Sequence, residues 1–243
     1  MGHILATDEN FDSPLIRPRE LKKVGFVVFG SDDGLCGAYN INILKGFIEH
    51  LNVVRKEVGH EIEIDVYPVG IKIEKAIRRL HDPKLNIVVP EGVDSKMAGE
   101  KVTEFTQSLR SAFINAELDR VDVVYMRYVS MSKQLLTSET LFPISEQTLI
   151  GESSDSDENQ LYIFEPDANS IFNEVLPMFV LSTMQEITIE NRSSEQAARV
   201  MAMQSANDNA KKLLDQLQLE YNKLRQQSIT TELLDIVGGQ VQR

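Results

Sequence analysis

Cysteine and tryptophan are nearly absent from this chain of 243 residues, which contains one cysteine and no tryptophan. Because Cys36 has no second cysteine to pair with, an intramolecular disulfide and a zinc site built from several cysteines are excluded. We therefore expect a protein of a reducing compartment.

Long apolar runs and basic clusters are also missing. No stretch approaches the ~18 consecutive apolar residues of a membrane-spanning helix, and the first residues lack the basic-then-apolar pattern of a secretory signal. Lys and Arg number 25 against 37 Asp and Glu, a formal charge of −12. Nucleic-acid binding proteins instead concentrate cations on one face. We predict no binding to nucleic acid and no direct insertion into a membrane.

Glycine is absent between Gly151 and Gly238, and Pro177 is the only proline after Pro166. The roughly 60 residues of 178–237 are rich in good helix formers. One such helix would be about 90 Å long, whereas a domain formed by the residues before it would be only ~40 Å across. We therefore expect the helix to project beyond that domain. Apolar residues at approximately heptad spacing predict a partner helix, from another chain or a missing piece of this one. They are Met203, Ala206, Ala210, Leu213, Leu217 and Leu224.

Upstream of this helix, short β-branched runs alternate with amphipathic helical patterns. Four strands are predicted, at 22–31, 63–70, 85–90 and 120–130, the first of them buried. The segment 134–144 follows the fourth strand after only a few residues and is expected to be its antiparallel neighbour. The order predicts an α/β fold with an open, Rossmann-like, mostly parallel sheet that helices cover on both faces. A mobile acidic loop at 151–160 and a last short strand at 161–166 are also predicted.

The loop GSDDGLCG, residues 30–37, lies where an open α/β sheet binds ligands. It lacks the spacing of a dinucleotide site and the Gly-Lys-Ser/Thr of a phosphate-binding loop, so we interpret it as a tight turn whose glycines supply unusual backbone angles. No histidine signature is tied to Cys36, which favours a packed thiol over a nucleophile. The acids Asp32, Asp33 and Asp155 do not fit a calcium-loop pattern.

The histidine spacing fits no metal-ligand template, and we expect His50 and His60 at the surface. We therefore predict no catalytic residue, no cofactor and no metal site. From the residues alone, two functions stay open. The first is a small α/β nucleotide-binding enzyme that uses the loop at 32–37. The second is a homodimeric coiled-coil scaffold.

Two segments resemble the gamma subunit of the rotary F-type ATP synthase. SDDGLCGAYN, residues 31–40, matches the family motif of Ser-Asp, Gly-Leu-Cys-Gly and then Asn. Residues 190–239 are similar to the C-terminal helix of the family over nearly its whole length. They carry Ser-Glu-x-x-Ala-Arg, Met-x-Ala-Met, Asn-Lys-x-Arg-Gln and Ile-Thr-x-Glu in that order. The intervening α/β pattern is also typical of that family.

The resemblance implies a non-catalytic central-stalk rotor subunit that couples proton flow through the membrane c-ring to ATP synthesis or hydrolysis in a ring of alpha and beta subunits. It would lie peripherally on the cytoplasmic face of a bacterial cell membrane. The residues expected to contact the catalytic beta subunit are Arg225, Gln226, Thr230 and Glu232, with a solvated helix face as the alternative. Those expected to face the epsilon subunit and the c-ring are Tyr162, Phe164 and Glu165.

Family members begin with another long helix that winds antiparallel around the C-terminal one, whereas this chain opens at what resembles the connector after it. The resemblance therefore implies a connector at 1–21, an α/β globular domain at 22–167 and a shaft helix at 168–243. The shaft would be half of an antiparallel coiled coil, with the missing N-terminal gamma helix as its partner.

Overall fold

A five-stranded sheet forms the centre of the fold. The structure, a computed structural model, describes residues 13–59, 62–145, 165 and 167–240. The strands are β1 (Lys23–Phe29), β2 (Glu63–Val69), β3 (Leu85–Ile87), β4 (Arg120–Ser130) and β5 (Lys133–Phe142). Their order is β3-β2-β1-β4-β5, and all neighbours are parallel except the antiparallel pair of β4 and β5. The predicted sheet and its antiparallel fifth strand are confirmed, although β3 ends three residues before the predicted Pro90.

Helices cover both faces of this sheet, as predicted. They are α1 (Tyr39–Val58), α2 (Ile71–Arg78) and α3 (Gly99–Ile114), each of which connects two parallel strands. Side chains alternate along a strand, so Phe26 and Val28 pack under α1 and α2, whereas Val27 and Phe29 pack with α3 on the other face. This alternation produces two apolar cores separated by one sheet.

The fourth helix, α4 (Ala168–Gln240), is the long C-terminal helix that the sequence predicts, and it continues through Pro177. Its first part belongs to the core beside α3, with buried residues at intervals of three and four. They are Phe172, Leu176, Val180, Met184 and Ile187. The chain forms two compact units that meet in sequence between Arg199 and Val200. In the second unit, every side chain of residues 203–237 is exposed.

Candidate functional site

The loop of residues 31–40 joins the end of β1 to the start of α1 and closes on itself through polar contacts. The Asn40 side chain accepts a hydrogen bond from the Ser31 backbone N–H at 3.1 Å and donates one to the Ser31 hydroxyl at 2.7 Å. That hydroxyl donates to the Asp33 carbonyl oxygen at 2.8 Å. Because Ser31 is fully buried, these bonds satisfy its polar groups within the protein. The loop is held in shape by its own side chains.

The backbone angles and the thiol of this loop agree with its interpretation as a tight turn. Gly37 has a φ of +60°, in the left-handed region that glycine adopts without steric cost. Leu35 has a φ of +64° although it is not a glycine, and no residue pattern predicts this strained position. Cys36 is buried, and its Sγ lies 3.4 Å from the Asn40 Nδ2. The prediction of a packed thiol is confirmed.

Asp32 connects three loops at the carboxyl edge of the sheet. Its Oδ1 accepts a hydrogen bond from the Ile71 N–H at 3.0 Å, at the start of α2. Its Oδ2 accepts from the Ser95 N–H at 3.0 Å and from the Ser95 hydroxyl at 2.7 Å, in the loop after β3. The neighbouring Asp33 is exposed and pairs with Lys96 at 2.7 Å. Of the two acids, Asp32 therefore has the structural role.

Replacing Asp32 by alanine is expected to lower the free energy of unfolding by about 2 kcal/mol, because two backbone N–H donors and one hydroxyl lose a charged acceptor. Asp33→Ala is the matched control. It also removes a carboxylate, but from the exposed pair of Asp33 and Lys96, whose contribution to stability is small. Urea titration of both variants measures the difference. Equal stability of the two variants would contradict the structural role of Asp32.

An opening beside this loop has the wrong charge for a phosphate ligand. It has a volume of about 450 Å³, and four carboxylates line it while its lining includes no Lys or Arg. The four are Asp32, Glu74, Glu91 and Asp94. Phosphate sites in proteins use cations and free backbone N–H groups, and carboxylates repel the ligand. The geometry favours a structural turn over a nucleotide site.

The residues predicted to contact a beta subunit lie on two faces of the exposed part of α4. Arg225 and Glu232 are seven residues apart, which places them on one face about 10 Å apart along the axis. Gln226 and Thr230 share another face as an i, i+4 pair, and the Thr230 hydroxyl donates to the Gln226 carbonyl oxygen at 2.8 Å. All four side chains are exposed. Within the described residues, neither Arg225 nor Glu232 forms an ion pair, so both charges are available to a partner.

The other predicted contact residues are only partly within the structure. Glu165 is described and is exposed, whereas Tyr162 and Phe164 lie outside the described residues. The predicted strand at 161–166 and acidic loop at 151–160, with Asp155, also fall outside them, except for Glu165.

His50, which is expected at the surface, is half-buried and bonded to an acidic side chain. Its Nε2 lies 2.8 Å from the Asp122 Oδ2, and Asp122 is fully buried in β4. The Arg120 Nε and the Thr140 hydroxyl donate to the Asp122 Oδ1 at 2.8 and 2.9 Å. Burial alone would raise the pKa of Asp122, but the bonds from His50 and Arg120 outweigh it and hold the pKa below its usual value. His60 lies outside the described residues.

Neither a metal cluster nor a membrane span is found in the part of the chain that the structure describes. No group of three or more His, Cys, Asp or Glu side chains there is arranged to hold a metal ion. None of the described helices combines the length and apolarity needed to cross a membrane.

Known sequences match the whole chain. A family model described as ATP synthase matches residues 1–241. The ATP synthase gamma chain of Bacteroides thetaiotaomicron is 34% identical over 100% of this chain and 83% of its own length. The ATP synthase gamma chain of Phocaeicola vulgatus is 37% identical over 98% of this chain and 81% of its own length.

Solved structures share the fold at lower sequence identity. A chain of the Euglena gracilis mitochondrial ATP synthase, solved as OSCP/F1/c-ring, aligns with a TM-score of 0.59 and 22% identity, over 90% of this chain and 72% of that one. A chain of the central stalk and c-ring of the Tetrahymena thermophila mitochondrial ATP synthase aligns with a TM-score of 0.57 and 16% identity, over 84% of this chain and 85% of that one.

Proposed function

The chain belongs to the ATP synthase gamma-chain family, and from that premise we propose that it is a central-stalk rotor without catalytic residues of its own. In this proposal residues 200–240 turn inside a ring of alpha and beta subunits. The α/β unit contacts the epsilon subunit and the membrane c-ring through residues that include Tyr162, Phe164 and Glu165. The subunit lies peripherally on the cytoplasmic face of a bacterial cell membrane.

The observation that supports this proposal most directly is the contrast along α4. Residues 172–187 bury one apolar side chain every three or four positions, whereas every side chain of residues 203–237 is exposed. A helix gains most of its stability from burying one face, so an exposed length of this kind is suited to contacts with other chains. The acidic opening beside the loop at 31–40 gives no comparable support to a nucleotide-binding enzyme.

We also propose that Arg225, Gln226, Thr230 and Glu232 are the polar contacts with the catalytic beta subunit. Their support is exposure, together with the absence of an ion pair for Arg225 and Glu232 in the described residues. Charge-assisted hydrogen bonds are directional, and can be broken on one beta subunit and formed on the next as the shaft turns.

Replacing both Arg225 and Glu232 by alanine is expected to weaken coupling in the assembled complex while leaving the fold intact. Each lost bond to a charged partner is worth about 1.5 to 3 kcal/mol, enough to change a rotational barrier tenfold or more. ATP-driven proton pumping by membranes that carry the variant is the measurement.

The matched control is the double variant Lys211→Ala, Asp215→Ala, which also removes one cation and one anion from the exposed part of α4. Melting temperatures should stay close to that of the parent chain for both double variants, since surface substitutions usually change stability by no more than about 0.5 kcal/mol. If Arg225→Ala, Glu232→Ala assembles normally and pumps like the control, these residues are a solvated helix face and the contact proposal is wrong.

A further inference from the structure

A short polar segment of α4 meets the sheet where β1 and β4 stop pairing. The register of the two strands ends at the pair of Val28 and Val124. Two residues further along β4, the Met126 N–H lies 3.5 Å from the Asn191 Oδ1, and the Met126 carbonyl oxygen accepts a hydrogen bond from the Ser194 hydroxyl at 2.9 Å. Side chains of α4 therefore bond to backbone groups of β4 just beyond the end of its pairing with β1, in a stretch that still pairs with β5.

Asn191 also reaches β1 and α1. Its Nδ2 donates to the Gly30 carbonyl oxygen at 3.1 Å, directly after β1. The Tyr39 hydroxyl, from the first residue of α1, lies 2.7 Å from the Asn191 Oδ1 and 2.9 Å from the Asn191 carbonyl oxygen, so its one proton is shared between two acceptors. One amide side chain thus joins α4 to three other elements of the fold.

All of these groups are protected from water. Asn191 is 1% exposed, Ser194 is fully buried and Tyr39 is 3% exposed. Burial and the nearby Glu195 carboxylate raise the pKa of the Tyr39 hydroxyl well above its usual value, so it remains a donor. Hydrogen bonds in such surroundings are stronger than in water, and an unpaired member would be costly.

Apolar packing and these polar contacts restrain α4 in different ways. The buried residues from Phe172 to Ile187 determine which face of α4 meets the sheet and resist its separation, but each apolar contact has no preferred direction of its own. Hydrogen bonds require a distance and an angle, so the contacts of Asn191 and Ser194 fix both the rotation and the axial position of α4. They lie within ten residues of Val200, where the second compact unit begins.

We propose that Tyr39, Asn191 and Ser194 form a polar lock that fixes the rotational angle of α4 against the sheet, so that torque passes between the shaft and the α/β unit at this point. This proposal rests on the proposed rotor function. Tyr39 and Asn191 are positioning residues in it, since they hold the shaft and touch no nucleotide.

The test uses the assembled ATP synthase that contains this subunit, with Tyr39→Phe as the main variant and Asn191→Ala as the second. Tyr39→Phe keeps the ring and removes only the hydroxyl, so it is expected to fold. Its matched control is Tyr125→Phe, which removes another buried tyrosine hydroxyl, bonded to Glu139 at 3.0 Å on the other face of the sheet. Two quantities are measured, protons pumped per ATP hydrolysed and the thermal angular fluctuation of single rotors.

Tyr39→Phe is expected to lower the pumping ratio at least twofold and to widen the angular fluctuation at least twofold, with Asn191→Ala showing a larger change. Tyr125→Phe should match the parent in both quantities, even if the two tyrosine variants lower the melting temperature by the same amount. A merely structural role of Tyr39 would lower melting temperature or assembly without widening the fluctuation. If Tyr39→Phe matches Tyr125→Phe in a complex that pumps, the lock is refuted and the rotor function stands. If the parent chain does not assemble with alpha and beta subunits, the rotor function itself fails.

Discussion

Replacing Asp122 by asparagine is expected to lower the free energy of unfolding by about 3 kcal/mol at neutral pH. The carboxylate is fully buried and accepts hydrogen bonds from His50, Arg120 and Thr140. Asparagine keeps the volume but turns one acceptor oxygen into an NH₂ group that faces donors, and it leaves Arg120 with only the exposed Glu57, at 3.6 Å, as a charge partner. Removing a buried acceptor costs more than its hydrogen bonds contribute, because donors that are shielded from water lose their charged partner.

The effect should depend on pH in a defined direction. Because the folded protein holds the pKa of Asp122 below its usual value of about 3.9, its contribution to stability is fully present above that pH and is lost as the pH falls through the lower, folded-state pKa. The difference in unfolding free energy between the parent and Asp122→Asn should therefore narrow as the pH falls below about 4.

Urea titrations across this range measure the difference. Asp82→Asn is the matched control, since it makes the same change in the partly exposed pair of Asp82 and Arg55, whose bond length is also 2.8 Å. Solvent screens that pair, so its loss should cost about 1 kcal/mol or less. A cost for Asp122→Asn that is no larger than for Asp82→Asn would mean that water reaches Asp122 and that the site is not a buried network.

The sheet was predictable from the sequence because its signals are local. Short, nearly continuous apolar runs in β1 and β4 indicate buried strands within a few residues, and the short distance between β4 and β5 leaves room only for an antiparallel turn. The long helix was predictable for the same reason, since the residues of 178–237 are good helix formers without glycine or an interrupting proline.

The polar networks depend on contacts between distant parts of the chain and were not predicted. His50 and Asp122 are 72 residues apart, and Tyr39 and Asn191 are 152 apart. No periodicity connects such pairs, because their meeting depends on how α1 and α4 pack on the sheet. A weaker signal was present: Asp122 is a single acid inside the apolar run RVDVV, and a buried strand tolerates an acid only where donors surround it. That argument predicts a partner for Asp122 but does not identify His50.

Amide hydrogen exchange of the purified, monomeric chain is expected to differ by more than about a thousandfold between the core and the exposed part of α4. Amides of β1 and β4 open only when the α/β unit unfolds, and a domain stability of about 5 kcal/mol or more corresponds to protection above roughly a thousandfold. Residues 203–237 bury no side chain, so only intrinsic helix propensity and side-chain pairs at i, i+4 stabilise their backbone hydrogen bonds. Protection of their amides should therefore stay below about tenfold.

Residues 172–187 are the internal control, because they belong to the same helix but bury one apolar stripe in the core, and their amides should exchange as slowly as those of β1. Assembly with alpha and beta subunits should then raise the protection of amides from Met203 onward and leave that of the core unchanged, since only the exposed part of α4 gains new contacts. Strong protection of residues 203–237 in a proven monomer would show that another part of the chain covers this part of α4. The apolar side chains of Leu213, Leu217 and Leu224 would then be committed to an internal contact, and a rotor that offers this length of helix to a surrounding ring would be excluded.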